Sequence, residues 1–388
     1  MSNSSSSHGF ATRAIHGDQQ HDPTTGAVIQ PIYATSTFAQ SSPGVHTGWE
    51  YSRSGNPTRA AFEAAIANLE GGTRGFAFAS GLAAEAAVLE LLDHGSHVVA
   101  SSDLYGGTWR LFHRVRERSA NLSVTHVDGS NTAAVEAAIT PKTKMIWVET
   151  PGNPLLKVAD LAAIAKLAKA RGLLTVADNT FASPAVQRPI EFGIDIVVHS
   201  VTKYVGGHSD LVGGAAVVGA NKDIADKLAF LQNATGGILD PFSSFLAHRG
   251  LKTLPLRAKQ HAANALAVAK FLEDHPKVGR VYYPGLPDHP QHAVVERQMK
   301  SGGGMLSFEH AGSAADTIKA LERLKLFALA ESLGGVESLI SHPWTMSHGS
   351  VPEGVRKQLG ITPQLVRVSA GIEDADDLIE DLSQALGQ

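Results

Sequence analysis

The residues most able to carry covalent chemistry lie in the stretch DIVVHSVTKYVGGHSD, at positions 195–210. Residues 195–199 are apolar enough to form a strand buried on both faces. Lys203 follows this strand, and two later glycines let the backbone turn closely around a ligand. Ser200 and Thr202 add hydroxyl groups beside it. Such a lysine is a candidate for Schiff-base formation with a carbonyl compound, although most lysines are simply solvated at the surface.

Three further positions suit a bound ligand. Gly81 lies where the strand FAFAS passes into a helix, and the backbone N–H groups at a helix start form an anion site. Asp178 lies near the end of LLTVADNT, where a buried carboxylate is costly unless a cation pairs with it. Tyr105 follows the strand HVVAS, and its ring could stack on a flat heterocycle. Each has an ordinary alternative: a strand-to-helix turn, a helix cap or ion pair, and a packing tyrosine.

Taken together, these groups match the needs of one cofactor. The anion site, the aromatic ring, the aspartate and the lysine each lie on a different connection of one predicted sheet. Pyridoxal phosphate (PLP) needs donors for its phosphate, a carboxylate for its protonated ring nitrogen, a packing surface for its ring and a lysine amine for its aldehyde. The combination therefore predicts a PLP site.

The elements that must position these residues alternate in type. Strands are predicted at FAFAS, HVVAS, LSVTHVD, KMIWVET, LLTVADNT and DIVVHS. Helices are predicted at 81–92, 109–119, 132–139 and 160–169. This alternation predicts an α/β fold with a large domain built on a mostly parallel, doubly wound sheet. Ligands bind such sheets at the carboxyl ends of the strands.

Two other regions flank this predicted domain. Residues 1–9 are Ser-rich and polar, which favours a loose tail, and residues 10–58 have no sustained period, which favours an extended N-terminal arm. Near the end of that arm, Tyr51 and Arg53 precede a helix that starts around Pro57. Arg53 could hold an anion or be a surface charge.

The C-terminal region changes character after helical patterns at 222–234 and 257–275. Strands are predicted at VGRVYYP, GGMLSFEH and LVRVSAG, and helices at 291–299, 313–324 and 374–386. This pattern predicts a smaller α+β domain that begins near Leu251. The predicted boundaries are 1–57 for the arm, 58–250 for the PLP-binding domain and 251–388 for the C-terminal domain.

Composition narrows the function classes. The 388 residues carry a formal net charge of −4 without a basic run, which argues against nucleic acid or membrane partners and favours a small molecule. The absence of cysteine excludes disulfides and thiolate metal sites. No run of about 18 apolar residues and no signal-peptide pattern occur, so we expect a cytoplasmic protein.

Two other classes of chemistry lack their signatures. The chain has 18 histidines, but no H-E-x-x-H spacing supports a metal site, and we expect none. A nicotinamide-dependent oxidoreductase would carry G-x-G-x-x-G after its first strand, and the sequence has no such motif.

Ordered motifs run from about Phe10 to the last helix. They are YSRSGNPT, FASGLAA, DLYGGT, ETPGNP, VADNTFASP, SVTKYVGGHSD, LAFLQNATGG, RGLKTL, YPGLPDHPQH, AESLGGVESLISHP and LVRVSAGIED. Together they resemble the Cys/Met-metabolism family of fold-type I PLP-dependent enzymes, and within it the cystathionine γ-lyases and γ-synthases. The resemblance implies PLP as the cofactor and a small sulfur-containing amino acid as the substrate.

The resemblance also implies roles for residues around the cofactor. Lys203 would hold PLP as an internal aldimine, Asp178 would pair with the ring nitrogen, and Tyr105 would stack on the ring. The groups implied to bind the phosphate are the backbones of Gly81 and Leu82 and the hydroxyls of Ser200 and Thr202.

Other implied roles concern the substrate and a neighbouring subunit. The residues implied to hold the substrate α-carboxylate are Asn153, Ser332 and Arg367, whose guanidinium fork suits that task. Glu331 would face the distal part of the substrate. In this family Tyr51 and Arg53 reach into the neighbouring subunit's site, and the subunits form homotetramers from two dimers.

The expected reaction is γ-elimination from L-cystathionine, which yields L-cysteine, 2-oxobutyrate and ammonia. Lys203 would move the Cα proton, and Tyr105, with its pKa lowered by the cofactor, would protonate the leaving sulfur. γ-Replacement by a cystathionine γ-synthase uses the same residues and is the main alternative, followed by β-elimination.

Three positions depart from the family pattern and bear on substrate choice. Gly152 stands where threonine is usual in ETPGNP, and Ser347 interrupts the usual Met-Thr-His run. Gly107 stands where methionine γ-lyases carry cysteine, which disfavours that activity.

Overall fold

The computed structural model describes residues 8–17 and 21–387. Seven strands form its larger sheet: Arg74–Phe78 (β1), His97–Ser101 (β2), Ser123–Val127 (β3), Thr143–Glu149 (β4), Leu174–Asp178 (β5), Ile196–Ser200 (β6) and Gly214–Val218 (β7). The helices of this part are Phe10–His16 (α1), Pro57–Glu70 (α2), Gly81–Leu89 (α3), Gly106–Arg110 (α4), Glu117–Ala120 (α5), Thr132–Ala137 (α6), Leu161–Arg171 (α7), Ser183–Val186 (α8) and Lys222–Thr235 (α9).

The large sheet is mostly parallel, as predicted. Its strand order is β1-β7-β6-β5-β4-β2-β3, and only β7 runs antiparallel to its neighbours β1 and β6. The parallel strands β2, β4, β5 and β6 therefore end at the same edge, with Asp178 paired to Val198 in the register of β5 and β6. The connections that carry Tyr105, Asp178 and Lys203 all leave the sheet at that edge.

Apolar side chains cover the sheet on both faces, which explains why its strands are nearly continuous hydrophobic runs. All five residues of β2 are buried. On one face Trp147 packs edge-on against Phe112, with ring centroids 5.7 Å apart. On the other face Ile146 packs in a cluster with Ile164 of α7. This double coverage makes the strand ends a rigid platform for side chains.

The C-terminal part has a second sheet and a long helix. Its helices are Pro241–Glu273 (α10), His292–Gln298 (α11), Ala314–Glu322 (α12), Glu353–Gln358 (α13) and Ala375–Leu386 (α14). Its strands are Val278–Tyr282 (β8), Met305–His310 (β9), Ala328–Leu329 (β10), Leu339–Ser341 (β11) and Leu365–Ser369 (β12), in the order β10-β11-β12-β9-β8. Only β10 and β11 pair in parallel. A mixed sheet with helices agrees with the predicted α+β character.

The helix predicted over 257–275 begins much earlier, at Pro241. Asp240 accepts hydrogen bonds from the backbone N–H groups of Phe242 and Ser243, and the proline occupies the first helical turn. Leu251, where we placed the start of the C-terminal domain, consequently lies inside α10. The domain boundaries remain predictions.

Two other helices differ from expectation. The predicted helix at 109–119 starts at Gly106 and continues through a π-helical turn, Leu111–Arg116, to Ala120. The arm, which was predicted to be irregular over residues 10–58, contains the helix α1. Phe10 of α1 packs against the core, and Ala14 is buried, so tertiary contacts stabilise a helix too short to form alone.

The rest of the described arm is irregular, but side-chain hydrogen bonds hold it in place. The Tyr33 hydroxyl donates to Asp22 over 2.7 Å, and the Thr58 hydroxyl donates to the carbonyl of Pro31 over 2.8 Å. Within residues 8–17 and 21–387, no helix is long and apolar enough to cross a membrane.

Candidate active site

A cavity of about 560 Å³ lies at the carboxyl ends of the parallel strands. It collects every predicted site residue except Tyr51 and Arg53, namely Gly81, Leu82, Tyr105, Asn153, Asp178, Ser200, Thr202, Lys203, Glu331, Ser332 and Arg367. A second cavity of about 610 Å³ lies between Lys157 and Tyr282, and no predicted site residue lines it. The large sheet and the C-terminal part both contribute to the first cavity.

Lys203 lies in a tight turn that follows β6. Gly206 N donates to Val201 O and Gly207 N donates to Lys203 O, both over 2.8 Å. The Lys203 Nζ donates to the Ser332 hydroxyl over 2.6 Å. Burial, helped by the positive charge of Arg367, lowers the pKa of Lys203 to about 8. A substantial fraction of this amine is therefore neutral near physiological pH.

The start of α3 forms the anion site. The Ser80 hydroxyl caps this helix by accepting from Ala83 N over 3.1 Å. Gly81 and Leu82, in the first turn, line the cavity together with Ser200 and Thr202. The Thr202 hydroxyl accepts from Gly213 N over 3.0 Å, which fixes the turn after β6.

Asp178 ends β5 and is buried. Its Oδ1 accepts from Thr180 N over 2.9 Å, and the Thr180 hydroxyl accepts from Ser200 N over 2.8 Å. Burial raises the pKa of Asp178, while the bonds from Thr180 oppose that shift. No Lys or Arg in the described part of the chain forms an ion pair with Asp178, so its carboxylate is open to a cation from outside the chain.

Tyr105 lies at the start of α4, with 41% of its surface exposed. Its backbone N donates to Glu149 Oε2 over 2.7 Å, which ties the end of β4 to the loop after β2. Burial is the largest cause that raises the pKa of Tyr105. The phenol therefore keeps its proton at neutral pH, and its exposed ring is available for stacking.

Arg367, on β12, forms the cationic side of the cavity. Its Nη1 donates to Asn153 Oδ1 over 3.0 Å and its Nη2 donates to Ser332 O over 3.1 Å. Only 3% of Arg367 is exposed. Asn153 and Arg367 thus come from different parts of the molecule and meet beside Lys203.

Tyr51 and Arg53 lie outside the cavity. The Arg53 Nε donates to Asn233 Oδ1 over 3.3 Å, and its guanidinium lies 5.3 Å from the centre of the Tyr51 ring. Both residues are exposed. Their expected place in a neighbouring subunit's site stays a prediction.

Comparison with known proteins settles the family. The family model described as "Cys/Met metabolism PLP-dependent enzyme" matches residues 11–387. The chain belongs to this family. It is 58% identical over 375 residues to a cystathionine beta-lyase of Coxiella burnetii, with 97% of each chain covered. It is 51% identical over 381 residues to a cystathionine gamma-synthase of Mycobacterium tuberculosis, covering 98% of this chain and 97% of that one.

A solved structure is also similar. The crystal structure of a cystathionine gamma-lyase from Lactobacillus plantarum, complexed with L-serine, matches with a TM-score of 0.95 and 49% identity, covering 97% of this chain and 98% of that chain. The predictions of the family, of the α/β fold and of a PLP-dependent enzyme are confirmed.

The cavity fits the cofactor of this family. A carboxylate without a cationic partner, a helix start flanked by hydroxyl groups, an exposed aromatic ring and a half-buried lysine all face one space. These groups match the ring nitrogen, phosphate, ring face and aldehyde of PLP. The chemistry of the donor set therefore supports the cofactor that the family implies.

Three ionisable cavity residues were not among the predicted site residues: Glu85, Glu149 and Arg110. Glu85 lies inside the apolar run of α3 and accepts from the Thr108 hydroxyl over 3.1 Å. Burial raises the pKa of Glu85 and of Glu149 well above the usual value, and the charge of Asp178 adds to the shift. Glu149 could have been found, because it ends a buried strand as Asp178 does.

Gly152, where threonine is usual in this family, has a steric role here. A Cβ at this position would lie 1.9 Å from Asp103 Oδ2. Asp103 is buried, and its carbonyl accepts from Asn153 N over 3.1 Å. Gly152 therefore leaves room for a buried carboxyl group directly behind Asn153. Ser347, the other departure, lines the cavity.

Proposed function

We propose that the protein catalyses γ-elimination from L-cystathionine to L-cysteine, 2-oxobutyrate and ammonia. The observation that supports L-cystathionine as the substrate is the distribution of charge along the cavity. Arg367 and Asn153 lie beside Lys203, whereas the exposed side chains of Arg110 and Glu331 lie at the mouth. L-Cystathionine carries an amino and a carboxylate group at each end. A cation and an anion at the mouth complement its distal end.

Lys203 would move the substrate protons. PLP, when bound, accepts the electron pair that remains when a proton leaves Cα. The Lys203 Nζ would take that proton, since its pKa of about 8 leaves a usable fraction of free amine. A Cβ proton must then leave as well, so that its electron pair forms the Cβ–Cγ double bond while the Cγ–S bond breaks, and water releases the keto acid and ammonia at the end. The Ser332 hydroxyl accepts a hydrogen bond from the Lys203 Nζ over 2.6 Å and would orient this amine. Asp178 would keep the ring nitrogen of the cofactor protonated.

Arg367 and Asn153 would fix the substrate by its α-carboxylate. The guanidinium fork of Arg367 offers two parallel donors, and the Asn153 amide adds a third contact. Tyr105 would donate its phenolic proton to the leaving sulfur, because burial keeps that proton in place at neutral pH. Its pKa in the presence of the cofactor, which we expect to be lower, is part of the same proposal.

A second candidate is β-elimination. The relative that is 58% identical over 375 residues carries the name cystathionine beta-lyase, so overall similarity favours this activity as much as γ-elimination. γ-Replacement is a third, because a cystathionine gamma-synthase is 51% identical. All three need Lys203, Asp178 and Arg367 in the same roles.

Product analysis separates the three reactions. Pure enzyme with PLP is incubated with L-cystathionine alone, and then with an O-acyl-homoserine plus cysteine. Formation of 2-oxobutyrate and cysteine from L-cystathionine supports γ-elimination. Formation of pyruvate and homocysteine would show that the reaction is β-elimination instead. A synthase would form cystathionine in the second mixture and little keto acid in the first.

Replacement of Lys203 tests the lysine assignment. Lys203→Ala should abolish turnover and the visible absorption band of lysine-bound PLP. Lys222→Ala removes an exposed lysine that pairs with Asp226 and serves as the control. A band and turnover that survive in Lys203→Ala would show that another residue holds the cofactor.

The assembly and location are proposals as well. We infer a homotetramer of two dimers in which Tyr51 and Arg53 complete the partner's site, and a cytoplasmic enzyme. The exposed position of both side chains outside their own cavity supports the shared site. The three domains would be 1–57, 58–250 and 251–388.

A further inference from the structure

Arg257 is a buried cation in the first half of α10. Only 4% of its surface is exposed, and no carboxylate in the described ranges 8–17 and 21–387 pairs with it. Its Nη1 donates to Tyr204 O over 2.8 Å and its Nη2 donates to Gly250 O over 2.7 Å. The Nε donates to the Thr253 hydroxyl over 3.1 Å. Burial lowers the pKa of Arg257 to about 10, so the group stays charged at neutral pH.

These partners place Arg257 against the turn that carries Lys203. Tyr204 is the next residue in the chain, and its carbonyl group is fixed by one arm of the guanidinium fork. Gly207, at the end of the turn, has φ +74°, and a Cβ there would lie 2.1 Å from the Arg257 Nη1. The turn is thus shaped to admit a guanidinium group. Burying an arginine without an acidic partner is costly, which calls for a specific role.

The same turn also contacts the C-terminal part. Val336 N donates to Gly207 O over 3.0 Å, close to the segment that holds Ser332. The Tyr204 ring packs edge-on against His261 of α10, with centroids 5.2 Å apart. Lys203 is therefore bounded by α10 on one side and by the loop before β11 on the other.

We propose that Arg257 is a positioning residue that holds Lys203 in line with Ser332 and Arg367 through its bond to the Tyr204 carbonyl. The inference rests on the role of Lys203 proposed above. The Tyr204 carbonyl belongs to the peptide plane between Tyr204 and Val205, so this bond holds the turn one residue after Lys203 and thereby constrains the direction of the Lys203 side chain. Arginine suits this task because its planar fork can hold two carbonyl groups at once.

The test compares Arg257→Met and Arg257→Lys with wild type. Lys259→Met, which removes an exposed cation from the same helix, is the matched control. Each holoenzyme is treated with borohydride, and mass spectrometry measures the fraction of the Lys203 peptide that carries reduced cofactor. The dissociation constant of PLP is measured by fluorescence titration of the apoenzyme.

We expect Arg257→Met to bind PLP about tenfold more weakly and to trap less cofactor on Lys203. Arg257→Lys should fall between Arg257→Met and wild type, because it keeps the charge but loses the fork. Lys259→Met should match wild type. Wild-type PLP binding and trapping in Arg257→Met, or an equal loss in Lys259→Met, would overturn the inference.

Gly207→Ala gives an independent arm if Arg257→Met does not fold. The added Cβ displaces the guanidinium and should weaken PLP binding as well. If both changes act through one contact, the PLP dissociation constant of the double variant Gly207→Ala/Arg257→Lys should rise by less than the product of the two single increases. Losses that simply multiply would contradict a shared contact.

Failure of the inference is distinct from failure of the proposed function. If Lys203→Ala still forms a reducible adduct with PLP, the lysine assignment itself is wrong. If Lys203→Ala loses the adduct and the Arg257 variants behave as wild type, only the positioning role is wrong.

Discussion

The floor and the mouth of the cavity are built in different ways. At the floor, Asp178 and Lys203 follow adjacent strands, and backbone hydrogen bonds fix the turns that carry them. At the mouth, Arg110 lies in the helical segment that begins at Gly106 and Glu331 lies on a loop, and both are exposed. The sheet therefore determines the proposed cofactor end of the cavity, whereas the proposed distal end depends on a helix and a loop outside the sheet. Selectivity can change at the mouth without disturbing the floor.

A change at the floor should have the largest effect. Asp178→Asn removes the charge proposed to pair with the ring nitrogen, and we expect kcat/KM to fall by about 100-fold or more. The visible spectrum of the bound cofactor should change as well. Asp240→Asn, which keeps the helix cap of α10, should leave both unchanged. Full activity in Asp178→Asn would show that activity does not depend on the charge at the floor, which the comparison with the mouth requires.

A mixing experiment tests whether the mouth is shared between subunits. Arg53→Ala and Lys203→Ala should each be inactive or nearly so. After the two variants are unfolded and refolded together, about a quarter of the sites should contain both native residues, because half of random dimers are mixed. Activity should recover to about that fraction. No recovery in the mixture would place Arg53 outside any partner's site.

Substitution of Arg367 separates substrate capture from cofactor chemistry. Arg367→Lys loses the bidentate contact proposed for the substrate carboxylate, so KM for L-cystathionine should rise about tenfold or more while PLP stays bound. Arg297→Lys, at an exposed ion pair with Asp160, is the control and should leave KM unchanged. A fall in kcat with an unchanged KM would argue against a role in carboxylate binding.

The smallest expected effect concerns Asp103, the buried carboxyl group behind Asn153, and its contribution to the stability of the fold. Burial raises the pKa of Asp103 from 3.8 to about 7. The folded protein therefore binds a proton that the unfolded chain releases between these pH values, and the contribution of Asp103 to the free energy of unfolding falls as pH rises through that window. Asp103→Asn should raise the free energy of unfolding by about 1–3 kcal/mol near pH 8.

Urea unfolding at a series of pH values checks this effect. Wild type should lose stability between about pH 4 and pH 7 more steeply than Asp103→Asn does. Asp128→Asn is a useful contrast, because the bonds from Lys157 and Ser130 hold the pKa of Asp128 below its usual value. Identical pH profiles for Asp103→Asn and wild type would show that Asp103 does not titrate in this range.

The sequence predicted the floor well because its signals are local. Lys203 and Asp178 each follow an apolar run, and parallel strands bring such ends to one edge of the sheet, where β5 and β6 are neighbours. Gly81 is found by the same logic, at a strand-to-helix turn. The roles of these residues stay predictions, but their convergence in one cavity follows from the fold.

The mouth could not be predicted from patterns in the sequence alone. Arg110 sits in a stretch of mixed polarity and does not stand out until the helices are placed. Glu85, which is buried and not part of the mouth, is hidden from a pattern search because it interrupts an apolar helical run. Glu331 entered only through the family resemblance. The early start of α10 was missed because the capping signal at Asp240 was not used, and α1 because tertiary contacts rather than a long periodic pattern stabilise it.

The backbone of Ser332 is held in an unfavourable conformation. It is not glycine, yet its backbone has φ +89°, a region that residues with a side chain avoid. Residues held in this way cost about 1–3 kcal/mol each. The hydroxyl that meets Lys203 and the carbonyl that meets Arg367 both belong to this strained residue. Replacement of Ser332 by glycine would relieve this backbone strain, but it would also remove the hydroxyl group that the Lys203 Nζ contacts.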